Sequence, residues 1–334
     1  MDVAPHDRAA RSVKLYVALF VLAALVAFSS MTVGAGSLAD EGLRETLLSL
    51  RGARLAASFL AGAALAVGGV VVQGLLRNPL ASPSILGTTA GAALGGQLVL
   101  LALPFVALPV RSEMAVPIGC LVGALLSLLT LLALLRHTND AVTLLLTGFV
   151  LSSLFLALGS FVTSLAQNDW ELGRAVVAFS LGGVSSAGTD HVLFALPLVI
   201  AGLGAAFGWG KALDLLLSGE EEARSLGVDV PRLRWWSAVW VATLVAAAVS
   251  LGGNVSFVGL VVPHVLRPFA GWSHRRLVPA AALGGGIFLA ACDVVTRAIP
   301  SHGEIPLGVV TGLVGAPLFL FLLLRQRRAE LLRG

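Results

Sequence analysis

Apolar runs long enough to cross a membrane recur along almost the whole chain of 334 residues. A bilayer-spanning helix takes about 20 consecutive apolar residues. Only 12% of the residues are charged, whereas soluble domains average about 25%. Because backbone groups in lipid must be satisfied internally, we expect these runs to form helices. The pattern predicts an all-α, polytopic membrane protein in which residues 1–334 form one transmembrane domain.

The runs predict about ten spans. We place them at 15–33, 55–76, 84–103, 114–135, 141–166, 191–209, 235–252, 256–271, 278–297 and 305–324. The first run is longer than the core of a secretory signal peptide, so it is interpreted as a retained helix. Lys and Arg are concentrated in the loops on the side of the N-terminus, which predicts that both termini are cytoplasmic, with residues 1–14 as a cytoplasmic tail.

Residues 73–91 interrupt this apolar pattern with Arg77, Asn78, Pro79 and Pro83. Proline lacks a backbone donor and disfavours helix at the preceding residue. A helix should therefore stop near Arg77, and a new one should start near Ser84. Irregular backbone at membrane depth is tolerated where protein buries it or a water-filled cavity solvates it. The segment is therefore a candidate gate or pathway element.

The loop at 211–234 contains the pattern of a short helix. Ser218 is a candidate N-cap, three glutamates fill the first turn, and Gly227 fits the residue just past the C-terminus. The pattern predicts a cytoplasmic helix at roughly 219–226, on which Ala223 and Leu226 share one apolar face. Two interpretations stand: a solvated connecting helix, or a helix that docks on a cytoplasmic partner.

Charged residues near the other membrane face also allow two interpretations each. Arg51 and Arg54 are three residues apart, so a helix starting there shows both on one side. They either contact lipid headgroups as snorkelling side chains or meet carboxylates of a partner. Asp293 and Arg297 are spaced for an ion pair within one helix, against the alternative of a proton relay.

Several classes of function are disfavoured. The chain has no Gly-x-x-x-x-Gly-Lys-Ser/Thr loop, so ATP-driven transport would need a separate ATPase. No enzyme motif is present, and the net charge of +4 is explained by topology rather than nucleic-acid binding. Cys120 and Cys292 lie in apolar runs and are interpreted as packing residues. We expect no metal site and no cofactor bound by this chain.

Several segments, in order, resemble the FecCD-type permease family, the membrane subunits of type II ABC importers for iron-siderophores, haem and vitamin B12. The matching segments are Gln73–Gly91, Leu217–Val228, Gly253–Arg267, Ala291–Arg297 and Glu304–Phe319. The resemblance covers roughly residues 15–325. Two positions depart from the family pattern. Ala53 replaces a proline that is common between the two arginines, and Phe179 replaces a tryptophan before a Gly pair.

The resemblance implies the type II permease fold and a homodimer in the cell inner membrane, in contact with membrane lipid. It also implies two cytoplasmic ABC ATPase subunits, which use ATP and Mg²⁺, and a periplasmic or extracellular substrate-binding protein. The residues that match docking positions for the binding protein are Arg51, Arg54 and Arg297. Those that match the ATPase-docking loop are Ser218, Gly219, Glu220, Ala223, Leu226 and Gly227. Those assigned to the gate or pathway are Asn78, Pro79, Leu80, Ala141, Val142, Thr143 and Thr147.

The family's breadth leaves the substrate open. An iron chelate, either a ferric siderophore or haem, is the favoured cargo, and cobalamin is the alternative. An ion-coupled secondary transporter is disfavoured because mid-membrane carboxylates are scarce. A passive channel leaves the patterned loop at 211–234 unexplained.

Overall fold

A computed structural model describes residues 5–34, 41–106, 111–135, 141–185, 187–299 and 305–331. The described part of the chain is helical, and its long helices follow the apolar runs. The α-helices are α1 Pro5–Thr32, α2 Glu41–Leu75, α3 Thr88–Ala102, α4 Ser112–Leu135, α5 Ala141–Ala166, α6 Trp170–Leu181, α7 Thr189–Gly208, α8 Gly210–Ser218, α9 Glu220–Ser225, α10 Val230–Gly252, α11 Val258–Ala270, α12 His274–Ala298 and α13 Leu307–Leu331.

The predicted spans correspond to helices of this fold. Eight helices among the described residues are long and apolar enough to cross a membrane. The two remaining predicted spans are the shorter apolar helices α3 and α11. The sequence interpretation missed α6 and α8, because neither has a run of apolar residues of spanning length.

Helices α2 and α10 form the centre of the bundle. Most of the apolar stretch of each is buried, and α2 packs against α10, α12, α11 and α7. Helices α1, α5 and α13 lie at the periphery and expose large apolar side chains such as Phe20, Phe149 and Leu313. Exposed apolar surface of this extent is expected where a helix faces lipid or another membrane subunit.

Glycine pairs set the closest helix contacts. An added Cβ at Gly62 on α2 would overlap the carbonyl oxygen of Gly285 on α12, and the reverse also holds. Gly95 on α3 and Gly119 on α4 approach each other in the same way. Without a hydrophobic driving force between helices in lipid, this close backbone approach supplies the packing.

The predicted break after the second span is present, with one correction. Helix α2 ends at Leu75, and a short 3-10 helix occupies Pro83–Leu86. Helix α3 begins only at Thr88, after Gly87 in the left-handed conformation, and not near Ser84. Pro83 at the first position of the 3-10 helix and the left-handed Gly87 together delay the start of α3.

Candidate functional site: two charged clusters at opposite ends

Four side chains meet where the end of α2, helix α9 and the start of α10 come together. The carboxylate of Glu220 on α9 forms an ion pair with Arg234 on α10. The same carboxylate lies 3.7 Å from Arg224 on its own helix and 3.9 Å from Arg77, which follows α2. We call these four residues the Glu220 cluster. They link the loop at 211–234 to the break at 76–87.

Helix α9 matches the predicted short helix, but its ends and faces differ from prediction. Ser218 is the last residue of α8, and Gly219, with φ +135°, occupies the N-cap position, so Ser218 is not the N-cap. Gly227 has φ +85° and lies just past the C-terminal end, in the predicted place. Ala223 is fully buried while Leu226 is 59% exposed. The two therefore do not share a face, since Leu226 lies beyond the last helical turn.

Helix α8 is anchored to α12 by a carboxylate. Asp214 Oδ1 accepts hydrogen bonds from the His274 backbone N–H at 2.8 Å and pairs with His274 Nδ1 at 2.6 Å. Ser273 Oγ donates to Asp214 Oδ2 at 3.0 Å. Burial alone raises the pKa of the Asp214 carboxyl, but the bonds from His274 and Ser273 outweigh it, so its pKa lies below the usual value. The interactions favour the charged form of Asp214.

The break at 76–87 packs against α5. An added Cβ at Gly148 would overlap the Ile85 carbonyl oxygen, and Ser152 Oγ donates to the Ser84 carbonyl at 3.2 Å. Within the break, Asn78 Oδ1 accepts from the Leu80 backbone N–H at 2.9 Å, while Leu80 itself is 39% exposed. The 3-10 helix thus lies beside α5 at Gly148, the residue that follows Thr147.

The hydroxyl groups of α5 mainly bond their own helix. Ser153, Ser160 and Thr163 each donate to the carbonyl four residues earlier. Among the predicted pathway residues, Thr143 and Thr147 are partly buried, and the side chains of Ala141 and Val142 lie outside the described residues. Such back-bonding satisfies the hydroxyls within a helix. Ser152 differs from these residues, because its hydroxyl contacts the Ser84 carbonyl in the break as well as the Gly148 carbonyl of its own helix.

A second cluster lies at the other end of α2 and α12. Asp293 on α12 accepts from Arg54 Nε at 2.9 Å and pairs with Arg297 at 2.9 Å. The structure thus brings together the predicted pair of Asp293 and Arg297, and it adds Arg54, distant in sequence. Arg54 is 21 residues from the end of α2, which at 1.5 Å per residue separates the clusters by roughly 30 Å. We call Arg51, Arg54, Asp293 and Arg297 the Asp293 cluster.

The arginines of the Asp293 cluster also tie down the end of α1. Arg297 donates to the carbonyls of Ser30 and Val33, and Arg51 donates to the Met31 carbonyl at 2.6 Å. Arg51 is 5% exposed. Helix α2 begins at Glu41, so Arg51 lies well inside the helix and not at its start, which corrects the predicted helix terminus.

Comparisons with known proteins identify this architecture. A sequence profile of the FecCD transport family matches residues 12–325. The chain belongs to the FecCD transport family. The chain is therefore a membrane permease of ABC transporters, a transport subunit that is not itself the ATPase, and a multi-pass protein of the inner membrane. Family membership also implies ATPase and substrate-binding partners.

This chain has relatives that are named for different cargoes. It is 37% identical to the Fe(3+) dicitrate transport system permease protein of Escherichia coli, over 84% of this chain and 86% of that one. It is 37% identical to the hemin transport system permease protein of Yersinia pestis, over 92% and 95% of the two chains. It is 38% identical to the cobalamin import system permease protein of Halobacterium salinarum, over 85% and 74%.

A solved structure supports the fold. An ABC transporter assigned to the metal-chelate type, in an inward-facing conformation, superposes with a TM-score of 0.82 at 30% identity, covering 93% of this chain and 99% of that one. The predicted type II permease architecture is thereby confirmed.

Sequence reasoning missed the partners that come from distant segments. Asp214 and Arg54 each bond to residues more than 50 positions away in the sequence. The spacing of residues within one segment cannot predict such contacts. The nearest signal in the sequence is that Asp293 is a carboxylate within an apolar run, a position at which a buried charge needs a cationic partner. Within the described residues, no group of three or more His, Cys, Asp or Glu residues is placed to hold a metal ion.

Proposed function

We propose that this FecCD protein is the permease of an iron-chelate importer that works as a homodimer with two cytoplasmic ATPase subunits and a substrate-binding protein outside. In this proposal both termini are cytoplasmic, the Glu220 cluster faces the cytoplasm and the Asp293 cluster faces outward. ATP and Mg²⁺ belong to the partner ATPase, and this chain holds no cofactor. The distribution of Lys and Arg supports the orientation.

The hemin permease carries the argument for cargo, because it aligns over nearly the full length of both chains. The iron dicitrate relative supports the same class. Cobalamin is the second candidate, favoured by the similar identity to the Halobacterium import permease. Ferric siderophores and haem are both bulky iron chelates, so the proposal names the class and not one member of it.

The helical unit α8–α9 is the proposed ATPase-docking site. Ala223 is buried against the bundle, which seats α9, and exposed Leu226 is left as an apolar contact for a partner. Ser218, Gly219, Glu220 and Gly227 shape this unit. The gate is assigned to Asn78, Pro79 and Leu80 together with the start of α5, supported by the packing of the break on α5.

Docking of the binding protein on Arg51, Arg54 and Arg297 is retained as a proposal with an added requirement. These guanidinium groups are occupied by Asp293 and by carbonyls of α1. Carboxylates of a binding protein would therefore add to guanidinium groups that keep their partners within the chain, rather than meet exposed arginines. A salt-sensitive affinity is the expected signature of that charge pairing.

Cargo is tested by reconstituting the chain with the ATPase and binding protein from its host into liposomes. Uptake of haemin, ferric dicitrate and cobalamin is measured with ATP and with a non-hydrolysable analogue. ATP-dependent uptake of an iron chelate supports the proposal. ATP-dependent uptake of cobalamin alone moves the assignment to the second candidate, and uptake that needs a proton gradient but no ATP overturns both.

Docking is tested with Leu226→Glu, and Leu226→Met is the matched control. Because Leu226 is exposed, the charge should not disturb folding, whereas a charge at buried Ala223 would. We expect Leu226→Glu to remove co-purification of the ATPase and Leu226→Met to retain it. Normal recovery of the complex with Leu226→Glu would contradict the docking assignment.

A further inference from the structure

Arg77 has a backbone conformation that arginine rarely takes. It follows α2 with φ +49°, in the left-handed region that favours glycine. The Arg77 N–H donates to the Gly74 carbonyl, and the Asn78 N–H donates to the Gln73 carbonyl. This pair of bonds is the Schellman ending of a helix, in which glycine usually occupies the position of Arg77. An arginine in this conformation strains the backbone, which glycine would not do.

The side chain of Arg77 reaches the docking unit. Its Nη2 lies 3.9 Å from Glu220 Oε1, and Glu220 is the first residue of α9. The same carboxylate is held by Arg234 at the start of α10. Glu220 therefore joins α9 and α10 to the turn that ends α2.

The other side of that turn is fixed. Gln73, whose carbonyl accepts the Asn78 N–H, receives a 2.8 Å hydrogen bond at Oε1 from Arg267 of α11. Both side chains are buried. After the turn, the Asn78 side chain caps Leu80, so residues 78–80 form one tight unit. The residue before the turn is thus held by α11, whereas residues 78–80 are held by a bond within their own turn.

We propose that the ion pair between Glu220 and Arg77 couples the docking helix to the gate segment, which makes Arg77 a positioning residue for transport. This inference rests on the proposed function, since it assumes that the ATPase moves α9. When α9 shifts, Glu220 shifts with it, and the Arg77 turn follows. A long cationic side chain at this glycine-type position reaches Glu220, a contact that glycine could not make.

A simple topological role for Arg77 leads to a different expectation. A charge that only orients the loop does not need the left-handed conformation or a carboxylate on α9. Under coupling, Arg77→Gly should relieve strain and leave folding at least as stable, while the response of the gate to ATP is reduced. A structural role would lower stability and response together.

The test follows the gate directly and needs no identified cargo. Leu80→Cys is introduced on a chain whose buried Cys120 and Cys292 are replaced by alanine, and the purified complex with its ATPase is placed in nanodiscs. The rate of maleimide labelling at position 80 is measured with and without ATP. ATP hydrolysis, complex recovery and apparent melting temperature are recorded alongside.

The variants are Arg77→Gly, Glu220→Gln and the double change Arg77→Gln with Glu220→Gln. We expect each to reduce the ATP-dependent change in labelling rate by about two- to fivefold, the range that an exposed ion pair supports in an equilibrium. The double variant should lose no more than Glu220→Gln alone, because both changes remove the same contact. For Arg77→Gly, which lies outside the α8–α9 docking unit, complex recovery and melting temperature should be retained, and labelling of the Glu220 variants is measured only on recovered complex.

Arg224→Gln is the matched control. Arg224 contacts the same carboxylate, but it lies on α9 itself and does not reach the turn, so its loss should leave the ATP response intact. An unchanged ATP response in both Arg77→Gly and Glu220→Gln overturns the coupling while leaving the importer assignment in place. If the parent complex has no ATPase partner and no ATP response, the proposed function fails and takes the inference with it.

Discussion

At one end of α12, Asp293 is 1% exposed between Arg54 and Arg297, whereas at the other end of the bundle Glu220 is 30% exposed among three arginines. Each arginine of the Asp293 cluster has additional partners on the protein. Those of the Glu220 cluster are partly solvated, with Arg77 46% exposed. A buried charge must keep its partners, because water cannot replace them, but an exposed one can exchange them.

This difference separates a fixed joint from an adjustable one. The Asp293 cluster holds α1, α2 and α12 together through charge-assisted bonds, and breaking any one leaves a buried charge uncompensated. The Glu220 cluster joins three elements that a docking partner would need to move. Replacing single charged residues should therefore have unequal effects on stability at the two clusters.

Asp293→Ala should have the largest effect. It leaves Arg54 and Arg297 without their carboxylate in a buried site, which typically destabilises a protein by about 3–5 kcal/mol. We expect a clearly lower apparent melting temperature in detergent, measured by the loss of monodisperse protein on heating. Asp293→Asn keeps an acceptor oxygen, so its melting temperature should lie between those of the parent and Asp293→Ala. A parent-like melting curve for Asp293→Ala would show that the cluster is not a fixed joint.

Asp214→Ala should have the next largest effect. It removes the acceptor for the buried backbone N–H and ring of His274, and an unsatisfied buried group costs about 1–3 kcal/mol. The anchor of α8 on α12 is then lost, so proteolysis within 210–225 should accelerate more than proteolysis elsewhere. Asp214→Asn retains an acceptor oxygen and serves as the control. Equal protease resistance in all three proteins would argue that α8 is held by packing alone.

The pH dependence of the same anchor has a defined sign. The pKa of Asp214 is lowered in the folded state, so its stabilisation is fully present above the ordinary aspartate pKa and is lost as pH falls through the lowered value. We expect the protease protection of 210–225 to be constant around neutral pH and to decline only in acid. Comparing the parent with Asp214→Asn across this range isolates the contribution, and a decline beginning near neutral pH would count against it.

Glu220→Gln should have the smallest effect on stability. Exposed ion pairs contribute about 0–1 kcal/mol, and salt screens them. We expect a melting temperature close to that of the parent at high salt and a slight decrease at low salt. A loss as large as that of Asp293→Ala would make the two clusters equivalent and remove the distinction between them.

Much of this fold follows from local sequence. The apolar runs predicted the spanning helices, since the cost of unsatisfied backbone in lipid leaves few alternatives. Pro79 and Pro83 predicted the end of α2, and the Glu220–Gly227 pattern predicted α9. These signals act over a few residues, so the sequence alone is sufficient to detect them.

Contacts between distant segments depend on how the helices pack in the folded bundle. Nothing local indicates that Arg54 reaches Asp293, that Asp214 holds His274, or that Arg77 adopts a glycine-type conformation. The same packing buries Arg51, which the sequence left exposed at a helix start. Sequence determined which segments are helical and which carry charge, because propensity and hydropathy are local. Partner choice and burial came from helix packing, because they depend on residues that only the folded bundle brings together.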